Sequence, residues 1–308
     1  MICPNENSVS HCGYVAIIGR PNVGKSTLLN HILDLKLSIT SRKPQTTRHQ
    51  ILGVKTSGDK DSAQVQTIYV DTPGLHQRSG SAINKYMNRA ASSMLSDVDV
   101  LLFVVQALAW TDEDEAVLQR LQNTVVPVIL VVNKIDQLGD KQDLLPFIDK
   151  LASKMNFHEI IPVSAVKGNN VSQLEASVAK LLPEAPLFFP EDQITDRSMR
   201  FLAAEIIREK LVRELGQELP YTSTVDIDKY EEGPKLTRIH ATIYVESKGQ
   251  KAIIIGAKGG KLKEIATRAR IDIESMINAK VYLNLWVKVR EGWSNDEKAL
   301  RSLGYGDD

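Results

Sequence analysis

An apolar run at residues 15–18 empties directly into Gly19-Arg20-Pro21-Asn22-Val23-Gly24-Lys25-Ser26-Thr27, and a helical pattern follows at once. Few arrangements satisfy that order. A buried strand must end in a glycine-rich turn, and the turn must open a helix, so that loop N–H groups and the helix N-terminus converge on one point. Such a loop holds an anion, and the Gly-x4-Gly-Lys-Ser spacing is that of a phosphate loop. Glycines let the backbone approach the ligand closely. Lys25 is positioned to reach β and γ oxygens as a point charge, and the Ser26 hydroxyl to ligate magnesium.

The rest of the first half agrees with an α/β domain. From Tyr14 to about Leu182, short Val/Ile/Leu-rich runs alternate with helical patterns, as in a mostly parallel sheet covered on both faces. Strands are expected at 15–18, 35–39, 51–54, 65–70, 100–105, 128–132 and 160–163. The short connection 56–64, with Gly58-Asp59, predicts that two early strands pair antiparallel.

Three further segments follow at strand ends. Asp71-Thr72-Pro73-Gly74 closes the 65–70 run, 46 residues after Lys25. Its carboxylate is expected near the metal through water, and the Gly74 N–H near a γ-phosphate. Asn133-Lys134-Ile135-Asp136 closes the 128–132 run, at the carboxyl edge where open sheets bind ligands. Asp136 can accept hydrogen bonds from N1–H and the exocyclic amine of guanine, a donor pair adenine lacks. Asn133 is expected to tie this loop to the phosphate loop and the Lys134 stem to cover the base. Ser164-Ala165-Val166 is expected to supply a backbone N–H, from Ala165, to the guanine oxygen. The set reads as a GTP/GDP site with Mg2+.

Between these motifs, Ser41-Arg-Lys-Pro-Gln-Thr-Thr-Arg-His49 is polar and glycine-free, and one threonine is expected to complete the magnesium shell. Thr47 is favoured over Thr46 from its place just before Arg48. The position after Gly74 is Leu75, where many GTPases carry a water-orienting glutamine, so slow intrinsic hydrolysis is expected. Asn22 offers an oxygen that can hold K+ beside the phosphates, making Asn22, Lys25, Thr47 and Gly74 the candidate catalytic set. The alternative is that Asn22 only caps the loop.

Pro183, Pro186 and Pro190 break helical pattern and suggest a linker at 183–196. Beyond it, 197–215 has helical periodicity, 239–245 is strand-like, 261–270 is helical, and 281–289 alternates with period two. This predicts a small α+β domain. The chain is neutral overall, with 38 Lys+Arg and 38 Asp+Glu, yet between Ser247 and Arg290 ten bases face three acids. Within that stretch, Ile255-Gly256-Ala257-Lys258-Gly259-Gly260-Lys261 has the Gly-x-x-Gly layout of a KH module. Lys258, Lys261, Lys263 and Arg268 are expected at the phosphates of single-stranded RNA, with Ile254, Ile255, Leu262 and Ile265 flooring a groove for bases.

With these motifs, Pro44-Gln-Thr-Thr-Arg48 and the linker Phe189-Pro-Glu-Asp-Gln-Ile-Thr-Asp-Arg197, the chain resembles the Era-like family of bacterial GTPases over almost its entire length. The chain is expected to divide into a polar N-terminal tail (1–12), somewhat extended relative to the family pattern, a GTPase domain (13–182), the linker (183–196) and a second domain (197–308), which the resemblance makes a type II KH fold. The resemblance also implies binding near the 3′ end of small-subunit ribosomal RNA, a role in 30S maturation, and peripheral association with the inner membrane; separately, a monomer in a reducing cytosol is expected. Cys3 and Cys12, the only cysteines, form no disulfide framework or zinc pattern, and no apolar run is long enough to span a membrane. Two other readings stay open: a GTPase acting in RNA or tRNA modification, and a module whose basic domain contacts protein or anionic lipid.

Overall fold

The computed structural model describes residues 10–40, 49, 51–58, 64–71, 97–140, 142–215, 223–296 and 300. The described residues divide into two compact units: 10–38, 49–71 and 97–196 form the first, and 39–40 with Arg197 onward the second.

The first unit is built on β1 (His11–Ile18), β2 (Ile51–Ser57), β3 (Val65–Asp71), β4 (Val100–Gln106), β5 (Val128–Asn133) and β6 (Glu159–Pro162), in the sheet order β2-β3-β1-β4-β5-β6. All neighbours run parallel except β2 and β3, which are antiparallel as the short connection predicts. Four described helices connect or follow these strands: α1 (Lys25–Ile32), α2 (Asp112–Leu121), α3 (Leu144–Ala152) and α4 (Val171–Ala179). The central strands β4 and β5 are buried along nearly their whole length, which explains why they read as continuous apolar runs rather than alternating ones. Sheet order reverses direction at β1, so the crevice at the carboxyl ends of β1, β3, β4 and β5 collects the motif loops.

Two sequence expectations are corrected here. Residues 35–39 form no strand. The Asn30 side chain accepts the Leu37 and Ser38 N–H groups at 3.0 and 2.8 Å and donates to Ser38 O at 2.6 Å, so these backbone groups are bonded outside any sheet. Leu37 and Ile39 are apolar because they are buried, not because they pair. Cys12, expected in a polar tail, is a wholly buried β1 residue whose thiol faces Gln66.

The proline-rich stretch after Leu182, expected as a linker, is held against the first unit. Buried Gln66 accepts the Phe188 and Phe189 N–H groups at 2.9 and 3.0 Å and donates to Phe189 O at 2.9 Å. Farther on, Val54 N–H donates to Ile194 O at 2.7 Å and Thr195 Oγ1 to Leu52 O at 2.7 Å. The segment thus lies against β2 as a short antiparallel addition.

The second unit runs α5 (Met199–Glu214), β7 (Ser223–Glu231), β8 (Thr237–Val245), α6 (Lys248–Ile255), α7 (Gly260–Ile277) and β9 (Val281–Val289). Its sheet is β7-β8-β9, with β7 antiparallel and β9 parallel to β8. This α-β-β-α-α-β order, with both later helices and α5 packed on one face, is the type II KH fold.

Candidate nucleotide site and glycine-rich RNA loop

Two glycines set the path of the phosphate loop. Gly19 sits at φ 147°, where an added Cβ would fall 2.3 Å from Val104 O on β4; Gly24 sits at φ 105°, where it would fall 2.2 Å from Asn133 Nδ2. Only glycine allows the loop to lie this close to the ends of β4 and β5. Asn22 is also left-handed (φ 65°), a conformation asparagine tolerates, and its side chain is exposed without a hydrogen bond among the described residues.

Lys25, the first residue of α1, folds back over the loop. Its Nζ donates to Gly19 O at 2.8 Å and Arg20 O at 3.0 Å. Burial pushes its pKa down to about 8, opposed by the nearby Asp71 carboxylate. Next to it, Ser26 Oγ donates to Asp71 Oδ2 at 2.8 Å, and Ser38 Oγ donates to the same oxygen at 2.7 Å. Hydroxyl and carboxylate oxygens gathered around one buried acid are the hard donors magnesium prefers, so these residues fit that ion. Ser38 was not foreseen from the sequence, which has no signal for it beyond proximity to α1. Thr47, Thr72, Pro73, Gly74 and Leu75 lie outside the described residues.

At the other end of the crevice, Asn133 joins three segments. Its Nδ2 donates to Val23 O at 2.8 Å and its Oδ1 accepts the Ala165 N–H at 3.0 Å. Asn133 thus locks the phosphate loop, the end of β5 and the 164–166 loop together, as its type and position predict. Ser164 Oγ donates to Asp136 Oδ1 at 2.6 Å, which orients that carboxylate. Lys134, left-handed at φ 68°, donates to Gln106 Oε1 at 2.9 Å, and burial with the nearby Arg20 charge lowers its pKa. Ala165 differs from expectation, since its N–H is donated to Asn133 rather than standing open. Val166, next in the chain, is exposed.

A further anchor was missed. Arg20 Nε donates to Asp114 Oδ2 at 2.9 Å, and the Thr111 N–H and hydroxyl donate to the same oxygen at 3.0 and 2.9 Å. Asp114 is wholly buried and completes a capping box with Thr111 at the start of α2. The Thr-Asp-Glu-Asp run after β4 was the available signal. It fastens the phosphate loop to a helix N-terminus on the neighbouring strand connection.

In the second unit, α6 ends at Gly256 (φ 68°). A single turn, Ala257–Gly259, follows with Lys258 left-handed, and α7 starts after Gly259 (φ 76°). A Cβ at Gly256 would lie 2.7 Å from Lys261 Cβ, whereas one at Gly259 would meet nothing within 4 Å. Lys258 and Lys263 are exposed and Lys261 half-buried, and none of the three has an ion-pair partner among the described residues. Arg268 is instead paired with Glu214 and Glu264, so its charge is already compensated. The expected groove floor is also corrected. Ile254 and Ile265 are wholly buried in the core, Ile255 and Leu262 are half-buried, and Ile253 stands 50% exposed on α6 before the glycines.

A strand-to-helix phosphate loop interlocked with an Asn-Lys-x-Asp loop, followed in the chain by a KH fold, defines a P-loop GTPase with an appended nucleic-acid-binding module. Family models agree, matching a 50S ribosome-binding GTPase at residues 14–134 and a KH domain at 218–294. GTPase Era of Pseudomonas putida strain W619 is 58% identical over 98% of this chain and 99% of its own length, and GTPase Era of Pseudomonas aeruginosa PAO1 is 58% identical over 97% and 96%. The chain belongs to the Era family of GTPases. Among solved structures, Era with MgGDPNP and nucleotides 1506–1542 of 16S ribosomal RNA is 41% identical, covers 97% of this chain and all of its own, and gives a TM-score of 0.91. A point variant of Aquifex aeolicus Era bound to GDP·AlF4− is also 41% identical, covering 96% and 100% with a TM-score of 0.90.

Proposed function

We propose that this chain is a slow GTP-driven switch that binds small-subunit ribosomal RNA near its 3′ end and assists maturation of the 30S subunit. The observation that carries this is the union, in one chain, of the Asn133-locked nucleotide loops with a Gly256–Gly259 loop bordered by uncompensated lysines. Similarity over nearly the whole chain to Era solved with 16S ribosomal RNA supports the cargo. The nucleotide-binding domain is assigned to 13–182, the linker to 183–196 and the RNA domain to 197–308.

The residue roles in this reading are as follows. Asp136, held by Ser164, selects guanine, with the Lys134 stem against the base. Lys25 meets the phosphates, and Arg20, Pro21, Val23, Gly24 and Thr27 shape their cradle. Ser26, Asp71 and Thr47 would hold Mg2+, which supplies neutralisation of charge on the β and γ oxygens. Gly74 senses the γ-phosphate. Leu75 leaves water without a glutamine, which favours K+ held by Asn22 as the source of extra positive charge. Single-turnover hydrolysis is then expected to fall at least tenfold when K+ is replaced by Na+, and Asn22→Ala should remove that difference. Equal rates in the two salts would exclude the role. The protein acts as a monomer in the cytoplasm with peripheral attachment at the inner membrane face; no described helix is long and apolar enough to cross a membrane.

The RNA reading is tested on the intact chain with Gly259→Asp. No atom lies within 4 Å of the added Cβ, and aspartate tolerates φ 76° better than most residues, so the fold should persist. A negative charge at the backbone-contacting turn should weaken binding of a 16S 3′-end oligonucleotide about 10- to 100-fold and flatten its salt dependence. Affinity equal to wild type would refute the loop as the RNA site.

A further inference from the structure

On the sheet of the second unit, the residues of β8 and β9 alternate between two faces. Ile239, Ile243, Leu285 and Val287 enter the core beneath the helices. Their neighbours point the other way, and these are not the aliphatic or acidic residues of an ordinary solvent face. Trp286 and Tyr282 are 56% and 50% exposed, four positions apart on β9, which places them about 13 Å apart along the strand. The His240 ring lies 6.1 Å from that of Tyr282, and Arg238 stands directly across from Tyr282 in the parallel register. Exposed Lys288 follows Trp286 on the same face.

From this geometry we infer that the outer face of β8 and β9 is a second RNA platform, on which unpaired bases of the bound strand stack on Tyr282 and Trp286 while Arg238 and Lys288 meet phosphates. The inference rests on the RNA reading above and extends it to a different surface. Several features favour RNA over a protein occupant. On this face β8 and β9 carry no acid; the acids of the sheet sit on β7, where Asp226 stands in register with Thr242, Asp228 accepts from the Thr242 hydroxyl and Glu231 is paired with Lys229. Aromatics flanked by cations are how sheets hold single-stranded RNA. Finally, β9 is an edge strand among the described residues, and α6, which leads into the Gly256–Gly259 turn, packs on its inner side. A strand leaving that turn therefore has a short path around the β9 edge.

The test uses the full-length protein with Tyr282→Ala/Trp286→Ala, Trp286→Phe and Gly259→Asp. The probes are a short 16S 3′-terminal oligonucleotide and the longer 1506–1542 segment. The double variant should bind the longer RNA roughly 10- to 100-fold more weakly and the short one unchanged, with GTP hydrolysis in the absence of RNA unaltered. Trp286→Phe should restore most of the loss, because a ring remains to stack. Tryptophan emission from wild type should be quenched by the longer RNA, and that change should shrink in Trp286→Phe. Wild-type affinity in the double variant, with Gly259→Asp still impaired, overturns the platform while leaving the RNA reading intact. If wild type binds neither RNA, both fall together. Concentration-dependent self-association that disappears in the double variant would instead mark the face as a protein contact and overturn the proposal.

Discussion

Asp136→Asn is expected to lower GTP affinity by about 10²- to 10³-fold and to raise affinity for xanthosine triphosphate above that for GTP. The direction comes from the Ser164 hydrogen bond. Ser164 Oγ donates to Asp136 Oδ1, and an asparagine oxygen can accept the same bond. The substituted NH2 then occupies the place of the second carboxylate oxygen and faces the base edge. Opposite the exocyclic amine of guanine it sets donor against donor, which costs roughly 2 to 5 kcal/mol for a buried, formerly charged hydrogen bond. Xanthine carries a carbonyl at that position and accepts from it. Titration of fluorescent GTP and xanthosine triphosphate analogues measures the exchange. Unchanged preference for GTP would mean that Asp136 does not read the base.

Lys25→Met should reduce single-turnover GTP hydrolysis about 10²- to 10³-fold, the effect of removing one preorganised charge from developing phosphate charge. Stability should move the other way. Burial holds Lys25 at a pKa of about 8 against an ordinary value of 10.5, so below about pH 8 the nucleotide-free fold contains a desolvated ammonium that the unfolded chain would leave in water. Methionine has similar length and no charge, and the free protein should melt at an equal or higher temperature at pH 7. The same shift fixes the pH response of wild type. Phosphates raise the lysine pKa, so above about pH 8 binding must take up a proton and nucleotide affinity should fall with rising pH, by up to tenfold per unit. Calorimetry at pH 8.5 in buffers of different ionisation enthalpy reads that proton directly. Lys25→Met should show none of it; proton uptake surviving in the variant would assign it elsewhere.

The sequence made the nucleotide loops legible because each depends on residue types that little else demands at that spacing. Gly19 and Gly24 are fixed by close backbone approach, and Asn133 by the need for one side chain that both donates and accepts. The supporting residues were less visible. Ser38 and Asp114 act through distances set by the fold, and serine or aspartate near a helix start has many ordinary uses. Strand β7 escaped notice for a different reason. Its register shifts between Ile227 and Lys229, so Val225 and Ile227 face the core on odd positions but Tyr230 on an even one, which erases the period-two pattern. At 35–39 the error was the reverse: an apolar run suggested pairing that the Asn30 side chain had already replaced.

The docked segment after Leu182 bears on how the first unit behaves in isolation. Strand β2 ends the six-stranded sheet, and its outward groups at Leu52 and Val54 are taken by Thr195 and Ile194. An open edge of that kind is a template for strands from other molecules. A fragment cut at residue 182 would bare it, together with the Gln66 side chain that now holds Phe188 and Phe189. The chain therefore guards against its own aggregation with the very stretch that a domain map would discard as a connector.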